Sequence, residues 1–170
     1  MEKKSFFENK KLLFILAGVI VLAAVLRVIG LNKPEGLWYD EAVSFFGARN
    51  SFPFGIIGYS LTADLQPPLY ILILHIWMAI FGTADIALRA LSALFGVLIV
   101  PVMYLAGKEL SNKKTGLIAA LLTALNALLI YYSQEVRIYS LVVLLASLSV
   151  LFLIKVNNDP TLSKKILPLS

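Results

Sequence analysis

Two neighbouring carboxylates, Asp40 and Glu41, stand directly behind two aromatic residues in the run Trp38-Tyr39-Asp40-Glu41. Like charges so close raise one pKa, which suits a general base if a partner fixes the other. Adjacent side chains diverge on a helix or strand, so one of the pair would face a reacting group and the other would orient the shell around it. The same residues also read as an interfacial aromatic belt, with a solvated acidic pair in the first turn of a helix Glu41–Ala48. A second cluster is Gln66-Pro67-Pro68-Leu69-Tyr70. Proline at a helix start is pre-organised and forfeits no needed donor, so a helix should begin there. The third is Ser133-Gln134-Glu135-Val136-Arg137-Ile138-Tyr139. Glu135 and Arg137 are too near in sequence to pair well on one helix, so each needs a different partner. An ordinary polar turn is the alternative. His75, a lone histidine on an apolar stretch, reads as structural.

Membrane helices must position these residues. Of the 170 residues, 59% are hydrophobic and only 15% charged, against about 25% charged in a soluble domain. Mean hydropathy is +0.86. Four long apolar runs cover Leu12–Leu31, Ile86–Leu105, Thr115–Tyr131 and Ile138–Ile154. At about 1.5 Å per residue, each is long enough for the roughly 30 Å hydrocarbon core. The absence of cysteine removes disulfides and thiolate metal sites. The net charge of +5 is no nucleic-acid face, because the lysines sit in short clusters between apolar runs. The first run follows several lysines as in a signal peptide, but it is too long and lacks a small-x-small cleavage site. An uncleaved signal anchor is expected.

Charge placement sets the expected topology. Lysines cluster at Lys3, Lys4, Lys10 and Lys11, at Lys108, Lys113 and Lys114, and at Lys155, Lys164 and Lys165. The positive-inside rule wants all three clusters cytoplasmic, and four spans achieve that. A crossing by the shorter stretch Pro67–Gly82 would flip the parity. That stretch therefore reads as an interfacial helix within one external segment, Asn32–Asp85. Ten of the eleven lysines then fall inside, while Arg27, Arg49, Arg89 and Arg137, all the arginines present, fall at or near the outer face. Arginine's planar fork suits phosphate or carboxylate. Snorkelling, or pairing with Glu35, Asp64, Asp85 and Glu135, would also account for them.

Taken together, these motifs resemble the integral-membrane glycosyltransferases of the GT-C type. The branch is that of the dolichyl-phosphate-mannose–protein mannosyltransferases and the aminoarabinose transferases of lipid A. Besides the first two clusters, the likeness rests on Ala87-Leu88-Arg89-Ala90-Leu91-Ser92-Ala93-Leu94-Phe95-Gly96, on Tyr104 with Gly107-Lys108-Glu109-Leu110, and on Gln134-Glu135-Val136-Arg137-Ile138-Tyr139. It covers nearly the whole chain. Gln66 departs from it, since the family commonly has histidine before the two prolines. The resemblance implies an all-α, polytopic transmembrane helix bundle forming one membrane domain.

It also implies a transferase that moves a sugar from a polyprenyl-phosphate carrier to a protein, lipid or glycan acceptor on the outer face of a cell membrane. Asp40 matches the family's base or acceptor-positioning carboxylate, with Glu41 beside it. Arg89, Arg137, Glu135, Tyr139 and Tyr39 are the corresponding substrate-binding candidates. No cofactor is assigned, a divalent metal stays open, and no nucleic-acid partner is implied. Family members have further spans, so these residues read as an N-terminal piece that is inactive alone. The competing class is a small four-helix membrane protein, transporter-like or structural. Such a protein would place ionisable residues at the midplane of its spans. Here the acidic residues gather in the external segment instead, which favours the transferase.

Overall fold

Backbone groups in a hydrocarbon layer find no water, so an apolar run must satisfy them internally, and the helix does so. The computed structural model describes residues 2–159, where every regular element is helical. In chain order these are α1 (Glu2–Val28), α2 (Tyr39–Ala48), α3 (Phe54–Tyr59), a π-helical turn (Ser60–Asp64), α4 (Leu69–Phe81), α5 (Asp85–Leu110), α6 (Lys113–Leu125), α7 (Ala127–Ser133) and α8 (Tyr139–Asn158). Three are long and apolar enough to cross a membrane: α1 over Lys10–Val28, α5 and α8. The bent pair α6 and α7 passes the same test together as a fourth span. The architecture is that of an all-α polytopic membrane protein. The expectations resting on Lys3, Lys4, Lys164 and Lys165 fall outside the residues whose side chains are described.

The third apolar run, expected as one helix over Thr115–Tyr131, is broken. Asn126 takes extended backbone (φ −66°, ψ 116°) between α6 and α7. Asparagine competes with helical hydrogen bonds through its own amide and favours helix ends. Thr123 adds to this by donating to the Ala119 carbonyl at 2.7 Å, a back-bond that loosens the last turn of α6. The other boundaries shift modestly. α1 stops at Val28 rather than Leu31, while α5 runs past Leu105 to Leu110 and carries Lys108 in its last turn, where a cation suits the helix dipole. α4 begins directly after Pro68, whose carbonyl accepts from the Leu72 amide at 2.9 Å, so the proline pair starts the helix as expected.

The chain divides into two compact units. One comprises residues 2–23, 97–126 and 143–159. Its core holds Ala23, Val100, Tyr104, Ala120 and Ala124, packed with Leu16, Val19 and Ile20 of α1. α5 and α6 approach closely because both carry glycine at the contact. A Cβ on Gly116 would lie 2.5 Å from the Tyr104 carbonyl oxygen, and one on Gly107 would lie 3.0 Å from the Gly116 Cα.

The second unit, Ala24–Gly96 with Ala127–Val142, centres on Ala48, Ile56, Tyr70, Leu74, Leu88 and Val136. His75 Nδ1 shares a 2.7 Å hydrogen bond with the Ala48 carbonyl and its ring stacks on Phe52, which fits the structural reading. Trp77 Nε1 donates to the Ala87 carbonyl at 2.7 Å, tying α4 to α5. Tyr70 and Ser92 share a hydroxyl–hydroxyl bond of 2.8 Å in the same core.

Overpacking a close contact costs about 1–3 kcal/mol. Gly116→Leu should therefore lower the thermal unfolding midpoint in detergent, whereas Gly18→Leu, where a Cβ meets nothing within 4 Å, should leave it unchanged. Equal midpoints for the two variants would contradict the α5–α6 contact.

Candidate functional site

The site grows from the first turn of α2. Before it, Gly36 adopts φ +74°, a left-handed conformation that glycine takes without strain, and Trp38 is extended. Successive residues on a helix point about 100° apart, so Asp40 and Glu41 cannot share a direction. Asp40 is half-buried at the rim, while Glu41 is fully buried. The solvated acidic pair is thus corrected: one member is the least solvated carboxylate position the helix offers.

Glu41 meets Arg89 of α5 in a two-pronged ion pair. Arg89 Nε donates to Oε1 at 2.8 Å and Nη2 to Oε2 at 2.7 Å, with both side chains fully buried. The Val136 amide donates to Oε1 at 3.0 Å and the Trp38 amide to Oε2 at 3.3 Å. Arg89 spends its remaining bonds on the carbonyls of Leu31 (3.1 Å) and Gly36 (2.7 Å). Burial pushes the Glu41 carboxyl up, but the hydrogen bonds and charge of Arg89, with the Val136 and Trp38 amides, outweigh it and hold the group below its ordinary 4.5.

Arg137 lies in the turn between α7 and α8, beside this pair. Its Nη1 donates to the Asp40 carbonyl (3.1 Å), Ser44 Oγ (3.3 Å) and Asp64 Oδ1 (3.1 Å). The Arg137 and Asp64 side chains are 6% and 5% exposed, so the ion pair is well shielded. Burial alone would lower the guanidinium pKa, yet Asp64, Tyr139 and Asp40 together raise it. Nε of Arg137 is buried with no hydrogen-bond partner. The Tyr139 ring centroid lies 5.9 Å from Cζ.

The structure therefore gathers Asp40, Glu41, Arg89, Arg137 and Tyr139 around one helix turn. Tyr39, at the head of α2, is mostly exposed. Glu135 turns elsewhere: with Lys33, Glu35, Gly36, Trp38 and Tyr131 it lines a cavity of about 260 Å³. Glu135 and Arg137 thus face different surroundings, as their spacing required. Sequence reasoning missed Ser44, whose signal was its position four residues after Asp40. Gln134 was singled out only as part of the third cluster; its partner, the Leu26 carbonyl to which its amide donates at 3.0 Å, was not legible there. Asp64 entered only as one of several acids available to any arginine; the π-helical turn and Leu65 in left-handed backbone (φ 52°) bring it to Arg137. Among the described residues no cluster of three or more His, Asp or Glu side chains is arranged to hold a metal.

A family model described as dolichyl-phosphate-mannose-protein mannosyltransferase matches residues 65–167, more than half of the chain. The matched span contains Arg89, Glu135, Arg137 and Tyr139 and begins after Tyr39, Asp40 and Glu41. No curated protein and no solved structure matches the chain.

Removing one partner of a buried ion pair costs about 3–5 kcal/mol, because it strands the other charge. Arg89→Met should cost that much in detergent unfolding, and the double variant Glu41→Leu/Arg89→Met should cost clearly less. Because the folded Glu41 pKa lies below its ordinary 4.5, its contribution is present above about that pH and is lost as pH falls through the folded value. The Glu41→Leu/Arg89→Met variant should lose less stability than the parent on acidification. A double variant as unstable as Arg89→Met would show that the pair is not the source of the loss.

Proposed function

The chain belongs to the dolichyl-phosphate-mannose-protein mannosyltransferase family, and from that premise we propose that it forms part of a transferase moving a sugar from a polyprenyl-phosphate carrier to an acceptor outside the membrane. Membership implies a glycosyltransferase of the GT-C type acting in a membrane with a lipid-linked donor. The single observation that carries the finer reading is the juxtaposition on α2. The half-buried Asp40 holds the Arg137 guanidinium through its own carbonyl, and that guanidinium keeps a buried donor unspent.

The chemistry follows. The Asp40 carboxylate takes the proton of an acceptor hydroxyl, whose oxygen then attacks the anomeric carbon of the donor sugar. The bond from that carbon to the phosphate oxygen breaks, and the electron pair leaves with the phosphate. Arg137 offers the charge that the departing phosphate needs, in a shielded place where such charge acts strongly. Tyr139 and Tyr39 border the same region and would contact sugar or carrier. Glu41 and Arg89 act as positioning residues, since their hydrogen bonds are already taken within the protein. Glu135 would serve the substrate from its separate cavity with Tyr131 and Trp38.

In the same reading, the N-terminus and the lysine clusters face the cytoplasm, residues 32–85 face outward, and α4 lies in the interface. At 13 residues α4 is short for a crossing. Single cysteines at Glu35, Thr83 and Asn112, all exposed, distinguish the topologies. An impermeant thiol reagent applied to intact cells should label positions 35 and 83 and spare 112. Labelling at 112 would overturn the orientation.

The catalytic reading is tested in the full-length protein by transfer from a radiolabelled polyprenyl-phosphate sugar at equal protein level. Loss of a general base typically costs about 10²–10⁴-fold in rate, so Asp40→Asn should largely abolish transfer while membrane insertion persists. Arg137→Ala should weaken use of the carrier more than of the acceptor. Arg137→Lys should restore only part of it, because an ammonium cannot reproduce the fork. Near-normal turnover in Asp40→Asn would end the assignment.

A further inference from the structure

Two buried ion pairs occur in the unit Ala24–Gly96 with Ala127–Val142, and they are built differently. Glu41 and Arg89 meet edge to edge, with Nε and Nη2 of the guanidinium each taking one carboxylate oxygen. Asp64 meets Arg137 through one oxygen, which accepts from Nη1 at 3.1 Å. The Asp40 carbonyl and Ser44 Oγ accept from the same Nη1. None of these bonds uses Nε or Nη2, and Nε is buried with no hydrogen-bond partner among the described residues. Arg137 thus holds back, at Nε, the edge that Arg89 spends on its carboxylate.

The segment that delivers Asp64 is costly. Ser60–Asp64 is a π-helical turn, a rare form that occurs frequently at functional sites. Leu65, directly after Asp64, takes left-handed backbone at φ 52°, which crowds the Cβ of any residue but glycine. Its side chain is largely exposed, so little packing offsets that. Ser60 Oγ is buried with no hydrogen-bond partner among the described residues. Unfavourable features gathered in one turn point to a function that the turn serves, and what this turn presents is the Asp64 carboxylate.

We propose that Asp64 is a positioning residue that sets the grip of Arg137 on the carrier phosphate, an inference that rests on the role given to Arg137 above. Its hold on Nη1 turns the Nε–Nη2 edge toward the phosphate. Its negative charge opposes the phosphate that the same guanidinium binds, and in a shielded place that repulsion acts strongly. The phosphate freed by sugar transfer is therefore held less tightly than a lone arginine would hold it. Binding strength is given up for orientation and release.

The test measures kcat for a polyprenyl-phosphate sugar, and inhibition by the free polyprenyl phosphate, in the full-length protein at equal protein level. Asp64→Asn should be inhibited at least about fivefold more tightly and should turn over at least about fivefold more slowly. Loss of a merely structural contact would lower turnover without tightening inhibition. Asp64→Glu, which keeps the charge on a longer arm, should show the parent's inhibition at a reduced kcat. If Asp64→Asn accumulates poorly, the change is made in a Leu65→Gly background, where glycine relieves the left-handed backbone, and the same tightening is expected. Unchanged or weaker inhibition in Asp64→Asn would overturn the proposal, as would tightened inhibition in Asp64→Glu. If inhibition is meanwhile weakened in Arg137→Ala, the role of Arg137 stands and only that of Asp64 is lost. Inhibition unchanged in Arg137→Ala would remove the role of Arg137 and this proposal with it.

Discussion

The buried pair of Glu41 and Arg89 is the constraint on which the second unit depends. Taking two charges out of water costs several kcal/mol per ion, and their attraction offsets this only if the remaining hydrogen-bonding capacity is met. Here it is met from four directions. Glu41 accepts from the Val136 and Trp38 amides as well as from Arg89, and Arg89 reaches the carbonyls of Leu31 and Gly36. The satisfied pair therefore fixes, at once, the start of α2, the chain leaving α1, the beginning of α5 and the turn before α8. None of those loops has a regular ladder of its own to hold it.

Fixing Glu41 also fixes what lies about 100° around the helix from it. Asp40 is left at the rim because its neighbour is turned inward, so the two acids take separate roles by geometry alone. The Arg137 guanidinium is then set against the same turn by the Asp40 carbonyl, Ser44 and Asp64. Ser92, itself bonded to Tyr70, donates to the Arg137 carbonyl at 3.3 Å and ties that turn to the core. On the proposed reading, base and cation sit side by side because one helix turn carries the anchors of both.

Much of this was legible in the residues because bulk properties carry it. The apolar runs had to become helices, and Pro67-Pro68 could only open one. Less legible was whatever depended on a partner distant in sequence. Nothing in Trp38-Tyr39-Asp40-Glu41 tells which acid faces inward, since that is decided by Arg89, 48 positions away. The break at Asn126 was hidden because asparagine lowers helix propensity only slightly, and the Thr123 back-bond shows only once the helix exists. Asp64 was hidden by a π-helical turn, a rare element with no sequence signature.

The separation of arginine from lysine has the same root. All four arginines fall within Ala24–Gly96 and Ala127–Val142, whereas Lys10, Lys11, Lys108, Lys113, Lys114 and Lys155 fall in the other unit. Snorkelling does not account for the arginines, because Arg27, Arg89 and Arg137 are buried; Arg27 packs where Gly96 leaves room against Ser133. Only Arg49 is exposed, its guanidinium 5.5 Å from the Phe45 ring centroid. A loop packed against helices has buried carbonyls that neither helix nor water satisfies, such as that of Leu31, and a group with five fixed donors can reach several carbonyls at once. Lysine, a compact and strongly hydrated point charge, cannot. An arginine placed there brings a charge that must be matched, and a buried carboxylate is the group that matches it. The need to satisfy irregular buried backbone therefore calls for Arg89, Arg89 calls for Glu41, and the fixed Glu41 leaves Asp40 facing out.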